Sequence, residues 1–200
     1  MSIIKILAMK ITEELRVEAD PIWKSIFEHP FVVELYSGTL PFEKFKWYII
    51  NDFHHILEVF RCFSLISAKS EYEDASLAMD IAEMEMNTEM KNYEELLKDL
   101  NLKIDDVKNE QPAHVAFAYD NFLVRSCALG SPAEGFVALL PCFWSYAEIA
   151  EHNRERLASN GNPIYKKWGE VYLTHEYKEI INRMREAVDR SCEDYKRLRN

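Results

Sequence analysis

A long stretch without helix-breaking residues is the feature that most constrains how this chain can fold. No glycine or proline occurs from Phe42 to Lys69, or from Ala75 to Leu100. At about 1.5 Å per residue, a helix over the first stretch would have roughly 28 residues and a length of about 42 Å. Only 5 glycines occur among 200 residues, whereas a β-sheet protein would need many tight turns. The sequence therefore predicts an all-α protein.

Capping residues and prolines mark the other helix boundaries. Ser131-Pro132-Ala133-Glu134 matches a capping box, so a helix should begin at Pro132. Pro141 lies inside that helix and should kink it just before Cys142, because proline has no amide hydrogen to donate. Residues 101–111 are polar and acidic and are expected to form a loop with at most one helical turn. The predicted helices cover about residues 12–27, 29–38, 42–69, 75–100, 112–129, 132–159 and 174–200, with a further short helix that Asn162-Pro163 begins.

The length and composition favour a single domain over residues 1–200. Hydrophobic residues make up 48% of the chain, which is enough for a large core. Met9 could be an alternative start, so residues 1–10 are a possible frayed extension. The segment before it is interrupted by Lys5, and no apolar run of about 20 residues occurs, so neither a signal peptide nor a membrane span is expected.

The charge and the cysteines limit the environment and the partners. With 34 acidic and 24 basic side chains, the net charge of −10 should repel nucleic acid. The cysteines contain no CxxC pair, and a chain of this length needs no disulfide scaffold. A reduced, cytoplasmic protein is therefore expected. The four cysteines are Cys62, Cys127, Cys142 and Cys192.

The long helix carries an acid inside an apolar stripe. At three- and four-residue steps the stripe contains Tyr48, Asp52, His55, Val59 and Phe63. A buried carboxylate needs a partner, so Asp52 is either a satisfied structural group or a functional one. His54 and His55 are adjacent and should point in different directions.

Cys142 is the cysteine whose surroundings best suit chemistry. It follows the proline that should kink its helix, and Tyr146 lies one turn later on the same face, so a thiol and a phenol should line one wall. An interior cysteine is also a common small hydrophobic residue. Both interpretations, nucleophile and packing residue, remain open on this pattern alone.

A metal site is an alternative that the carboxylates and imidazoles permit. Glu148 and His152 are four residues apart, as are Glu85 and Glu89, and helical bundles bind metals through such pairs. The glutamates fit a solvated face equally well, and we favour that interpretation, so no metal ligands are predicted. The set that a metal-dependent oxidase would use comes from Glu85, Glu89, Glu148, His152 and His175.

Several stretches together resemble the TenA family of thiaminase II enzymes. The resemblance runs from about residue 12 to 190 and depends on the order and spacing of many residues rather than on one motif. The stretches are His29-Pro30-Phe31, Gly38-Thr39-Leu40-Pro41, Phe45-Lys46-Trp47-Tyr48, Asp52, Ala138-Leu139-Leu140-Pro141-Cys142, Trp144, Tyr146, Pro163-Ile164-Tyr165 and Trp168.

The resemblance implies a heme-oxygenase-like helical bundle that hydrolyses an aminopyrimidine, either aminomethylpyrimidine or thiamin, to hydroxymethylpyrimidine without a cofactor. Cys142 resembles the family nucleophile that adds to the pyrimidine ring. Asp52 resembles the carboxylate that holds the ring amino group and assists the thiol. Tyr119, Tyr146 and Tyr172 resemble substrate-binding tyrosines. Related proteins are usually homotetramers, so a homo-oligomer is implied.

The chain departs from the family pattern in two respects. The sequence stops at Asn200 without the family's last C-terminal helix, in which a glutamate transfers protons. Either that helix is absent, or the chain is truncated, or another acid or a neighbouring subunit takes the role of the glutamate. His55 stands at a substrate-binding position that is commonly aromatic, where it could stack or form a hydrogen bond. A second hypothesis is therefore that the protein binds an aminopyrimidine without catalysis. A third hypothesis is that it is a metal-dependent oxidase. The acidic charge disfavours a fourth, a transcriptional regulator.

Overall fold

The computed structural model describes the backbone of residues 9–199 and the side chains of residues 9–192. This part of the chain contains helices and no β-strand, as the sequence predicts, and none of its helices is long and apolar enough to cross a membrane. Most of the possible extension at residues 1–10 lies outside the described residues. The α-helices are α1 (Ile11–Glu18), α2 (Asp20–Phe27), α3 (Pro30–Ser37), α4 (Phe42–Ser67), α5 (Tyr72–Met84), α6 (Met90–Asp99), α7 (Ile104–Val107), α8 (His114–Leu129), α9 (Pro132–His152), α10 (Arg154–Ala158), α11 (Pro163–Glu170) and α12 (His175–Arg199).

Local signals set the helix ends that the sequence predicts well. The Ser131 hydroxyl accepts a hydrogen bond from the Glu134 amide at 3.3 Å, and the Glu134 carboxylate accepts one from the Ser131 amide at 2.7 Å, which completes the capping box of α9. Asn162 caps α11 by accepting hydrogen bonds from two backbone amides. Gly38, with φ of 78°, ends α3 in the left-handed conformation that glycine adopts most readily.

Other boundaries differ from the prediction. The predicted helix over residues 12–27 is divided into α1 and α2, because the chain turns at Ala19. Pro21 occupies the first turn of α2, where its missing amide hydrogen is harmless. Helix α8 begins at His114 rather than in the turn of Pro112. Helix α9 ends at His152, and the short α10 follows it, so the predicted helix to residue 159 is too long.

The second breaker-free stretch is helical throughout but not one α-helix. A π-helical segment, Glu85–Glu89, joins α5 to α6, and the helical path begins at Tyr72 rather than Ala75. A π-helix bonds residue i to i+5, so it changes the direction in which its side chains point relative to an α-helix. Such segments are frequent at functional sites.

Helix α4 is shared by two hydrophobic cores. Its C-terminal half, including Val59 and Phe63, packs with α5, α8, α9 and α12. Its N-terminal half, including Phe45 and Ile56, packs with α3, α6, α11 and the end of α9. Each core buries several large side chains almost completely, and burial of one such side chain stabilises the fold by about 1.5–3 kcal/mol. The middle of α4, where the acid of the stripe lies, is the junction between the two cores.

Candidate active site

A cavity of about 330 Å³ lies at the junction of the two cores. Ile56, from one core, and Val59, from the other, both line it. Its remaining walls come from the end of α5, the π-helical segment, α6, α9, the 3₁₀-helix Val171–Leu173 and the start of α12. The polar side chains that line it include Asp52, His55, Glu85, Glu89, Cys142 and Tyr146.

Cys142 and Tyr146 line this cavity from consecutive turns of α9, as the sequence predicts. The Cys142 side chain is half-buried, and its sulfur lies 3.3 Å from Nε2 of His55. Asp52 lines the same cavity from α4, one turn before His55. The two residues that sequence reasoning singled out for catalysis therefore open onto one cavity.

Aromatic side chains form one side of the cavity. The Tyr146 and Tyr172 rings lie 4.9 Å apart, and Trp168 packs edge-on against Tyr172 at the same distance. The Tyr48 and Tyr146 hydroxyls form a hydrogen bond of 2.6 Å. These two tyrosines also line a larger apolar groove of about 670 Å³, so their hydrogen-bonded pair separates the cavity from the groove.

His55 lies between the thiol and an acid that sequence reasoning missed. Its Nδ1 lies 2.6 Å from Oδ1 of Asp120 on α8, and the Asp120 side chain is only 7% exposed. Tyr119 stacks on the His55 ring, with centroids 5.7 Å apart, and its side chain also forms a hydrogen bond with Cys142. His54 points elsewhere and contacts the Glu110 carbonyl. The sequence did contain an indication of its importance, because Asp120 is the only acidic residue in α8.

Burial makes the cavity acids hard to ionise. It raises the pKa of Asp52 to about 6, and nearby Asp120 adds to this effect, while His55 opposes it. It raises the pKa of Glu85 to about 8, with Glu89 as the next cause, and the pKa of Glu89 to about 7, with Asp52 as the next cause. The expectation that Glu85 and Glu89 lie on a solvated face is therefore wrong, because the π-helical segment faces the cavity.

The five side chains that the sequence offers as possible metal ligands do not lie together. Glu148 forms an ion pair of 2.6 Å with Arg16, and His152 stacks on Phe27 with centroids 4.7 Å apart. Within the part of the chain that the structure describes, no group of three or more histidine, cysteine, aspartate or glutamate side chains is placed to hold a metal ion. The side chains therefore give the oxidase reading no support.

Fold and site together define an all-helical bundle that encloses an aromatic and acidic cavity containing a thiol. The model of the TENA/THI-4/PQQC family matches residues 16–199, and the chain belongs to that family. The aminopyrimidine aminohydrolase of Bacillus subtilis (strain 168) is 32% identical over 192 residues, which are 93% of this chain and 80% of that protein. The aminopyrimidine aminohydrolase of Halalkalibacterium halodurans is 26% identical and covers 90% of this chain and 81% of its own length.

A solved structure supports the same assignment. The TenA homologue of P. horikoshii OT3 is 45% identical and superimposes with a TM-score of 0.89, covering 90% of this chain and 85% of that chain. The predicted family and the all-helical fold are confirmed.

Proposed function

We propose that this protein is a cysteine-dependent hydrolase that releases hydroxymethylpyrimidine from aminomethylpyrimidine or thiamin. The observation that carries the proposal is that Cys142 and Asp52 line one cavity, with Tyr146 and Tyr172 in its aromatic wall. Family membership supports it, because two relatives are named aminopyrimidine aminohydrolases. The role in thiamin salvage or degradation is part of the same proposal.

The covalent step uses the sulfur of Cys142 as the nucleophile. Its thiolate bonds to a ring carbon of the pyrimidine, and the ring loses its aromaticity as it takes up the electron pair. That pair then expels the amine or thiazole from the exocyclic carbon. The amine leaves as ammonia from its protonated form, and the thiazolium leaves as neutral thiazole. Water then adds to the same carbon and loses one proton to the released amine or to solvent. The electrons of the exocyclic double bond return to the ring, expel the thiolate and restore the aromatic ring. The aromatic wall can stack on the flat substrate throughout.

Asp52 is proposed to bind the ring amino group and to assist the thiol. An ionised carboxylate accepts hydrogen bonds, and such charge-assisted bonds are stronger than neutral ones. Burial raises the pKa of Asp52 only to about 6, so Asp52 supplies negative charge to the cavity near neutral pH, whereas Glu85, with a pKa of about 8, remains largely protonated there. An acidic wall favours a substrate that carries positive charge, as the thiazolium of thiamin and a protonated aminomethyl group both do.

The direct test is incubation of the protein with thiamin and, separately, with aminomethylpyrimidine, followed by chromatography of hydroxymethylpyrimidine. We expect product from at least one substrate and none from Cys142→Ala. Cys192→Ala is the matched control, because Cys192 does not line the cavity, and it should keep full activity. Tight substrate binding without product would instead favour the aminopyrimidine-binding protein. Equal product from Cys142→Ala would refute cysteine catalysis.

Asp52 gives the reaction an expected pH dependence. Its pKa is raised to about 6, mainly by burial, so it accepts a hydrogen bond as a carboxylate only above that pH. Activity should therefore fall as the pH is lowered through about 6. Asp52→Asn should reduce kcat/KM by roughly 10- to 100-fold, because a hydrogen bond to a charged group is worth about 1.5–3 kcal/mol. If Asp52→Asn keeps the wild-type kcat/KM, and its activity still falls as the pH is lowered through about 6, Asp52 does not have this role.

Association is a further part of the proposal. The homotetramer that the family resemblance implies is supported by exposed apolar side chains on α8, which include Val115, Phe122 and Leu129. The cytoplasmic location stays a prediction.

A further inference from the structure

His55 has the geometry of a base for the thiol. A neutral imidazole carries one proton, and the ring nitrogen without it is an acceptor. If Nδ1 donates its proton to Asp120 Oδ1 at 2.6 Å, Nε2 is left to accept the proton of the Cys142 thiol at 3.3 Å. Nucleophile, base and orienting acid are then in series, which is the arrangement that activates thiols and hydroxyls in many hydrolases.

The surrounding side chains hold the imidazole in this orientation. Asp120 is buried, and a buried carboxylate is stable only with partners, which His55 supplies. Tyr119 stacks on the ring with an interplanar angle of 24°. The three members of the series come from α4, α8 and α9, which pack directly against one another, so their relative positions are fixed by the core.

The charges around His55 favour its protonated form. Burial opposes protonation, but Cys142 and Asp120, followed by Asp52, raise the pKa of His55 well above its usual value. The acids around the ring therefore favour a proton on His55, beside the Cys142 sulfur. The groups that face His55 are Asp52 on its own helix, Tyr119 and Asp120 on α8, Cys142 on α9 and Glu85 on the π-helical segment. Glu89 on the π-helical segment and Tyr177 on α12 line the same cavity.

We propose that His55 is the catalytic base that deprotonates Cys142 and that Asp120 is the residue that positions it. The transfer moves one proton from Sγ to Nε2 and no electrons. The sulfur uses the electron pair of its former S–H bond to bond to the substrate carbon. When the ring expels the sulfur, that pair returns to it and the thiolate–imidazolium pair is restored. The identity of the carbon electrophile rests on the proposed function, but activation of the thiol does not.

Alkylation of Cys142 by iodoacetamide tests the proposal without any substrate. The modified residue is located by peptide mass spectrometry, and the rate is followed against pH. In the wild type, Cys142 should react well below the pH of about 8.5 at which a free cysteine ionises. His55→Gln should move the midpoint of this profile upward and slow alkylation near pH 6 by at least about tenfold. Asp120→Asn should move the midpoint in the same direction by a smaller amount.

His54→Gln is the matched control, because it changes the adjacent histidine, which contacts the Glu110 carbonyl instead of the thiol. Its alkylation profile should match that of the wild type. Imidazole added to His55→Ala should restore part of the lost rate, which a merely structural role would not produce. Circular dichroism of each variant checks its fold.

If the His55 or Asp120 variants fail to fold, the thiolate absorbance of the wild type, compared with that of Cys142→Ala, decides instead. The thiolate absorbance that is present in the wild type and absent from Cys142→Ala should appear below about pH 7; a single step near pH 8.5 would overturn the proposal. Wild-type reactivity in His55→Gln would overturn it as well. An activated thiol in a protein that forms no hydroxymethylpyrimidine would leave this inference standing and refute the proposed function.

Discussion

Replacement of Glu85 by glutamine should change how the stability of the protein depends on pH. Burial, with the neighbouring Glu89 as the next cause, raises the pKa of Glu85 from 4.5 to about 8. The native state therefore binds this proton more tightly than the unfolded chain does. The resulting stability is full below about pH 4.5 and is lost as the pH rises through about 8. One pKa unit corresponds to about 1.4 kcal/mol, so the complete loss is on the order of 5 kcal/mol.

That value is an upper limit, because Glu85 lines a cavity that water can enter, and hydration of the carboxylate reduces the penalty. Glu85→Gln keeps the shape of the protonated side chain and removes its titration. The variant should therefore be similar to the wild type near pH 5 and more stable than it near pH 9, by at least about 1 kcal/mol.

Urea unfolding followed by circular dichroism at both pH values measures this difference. Glu83→Gln is the matched control, because Glu83 is an exposed glutamate near the end of α5, and its stability should follow that of the wild type at both pH values. If Glu85→Gln loses as much stability as the wild type between the two pH values, burial of an uncompensated carboxylate in this cavity is refuted.

Two further predictions concern packing and the wall between the cavity and the apolar groove. A Cβ added by Gly135→Ala would lie 2.8 Å from Ile66 Cγ1, so we expect a loss of about 1–3 kcal/mol in urea unfolding; Gly161→Ala, which meets nothing within 4 Å, should change stability by less than about 0.5 kcal/mol. Tyr48→Phe, Tyr146→Phe and the double variant should give a coupling energy of about 0.5–1.5 kcal/mol from the shared hydrogen bond. Equal stabilities for the two glycine variants, or additive tyrosine effects, would contradict these assignments.

The predicted helices came from signals that act over short distances along the chain. The breaker-free stretch after Phe42 produced α4, and the capping box at Ser131 fixed the start of α9. These predictions succeeded because hydrogen bonds within a helix and at its caps join residues only three or four positions apart. The errors fell where packing decides the outcome, as at the break after Glu18 and in the π-helical segment.

The sequence by itself determined that the protein is helical, and its motifs identified Cys142 and Asp52 as the residues to examine. The tertiary structure decided what surrounds them. His55 meets Cys142 across 87 positions of the chain and Asp120 across 65, and Glu85 faces a cavity rather than solvent. Helical periodicity shows which residues share a face, but not which distant helix covers that face. The hydrogen-bond partners and the pKa values of buried groups depend on which helix packs against that face, so only the packed fold determines them.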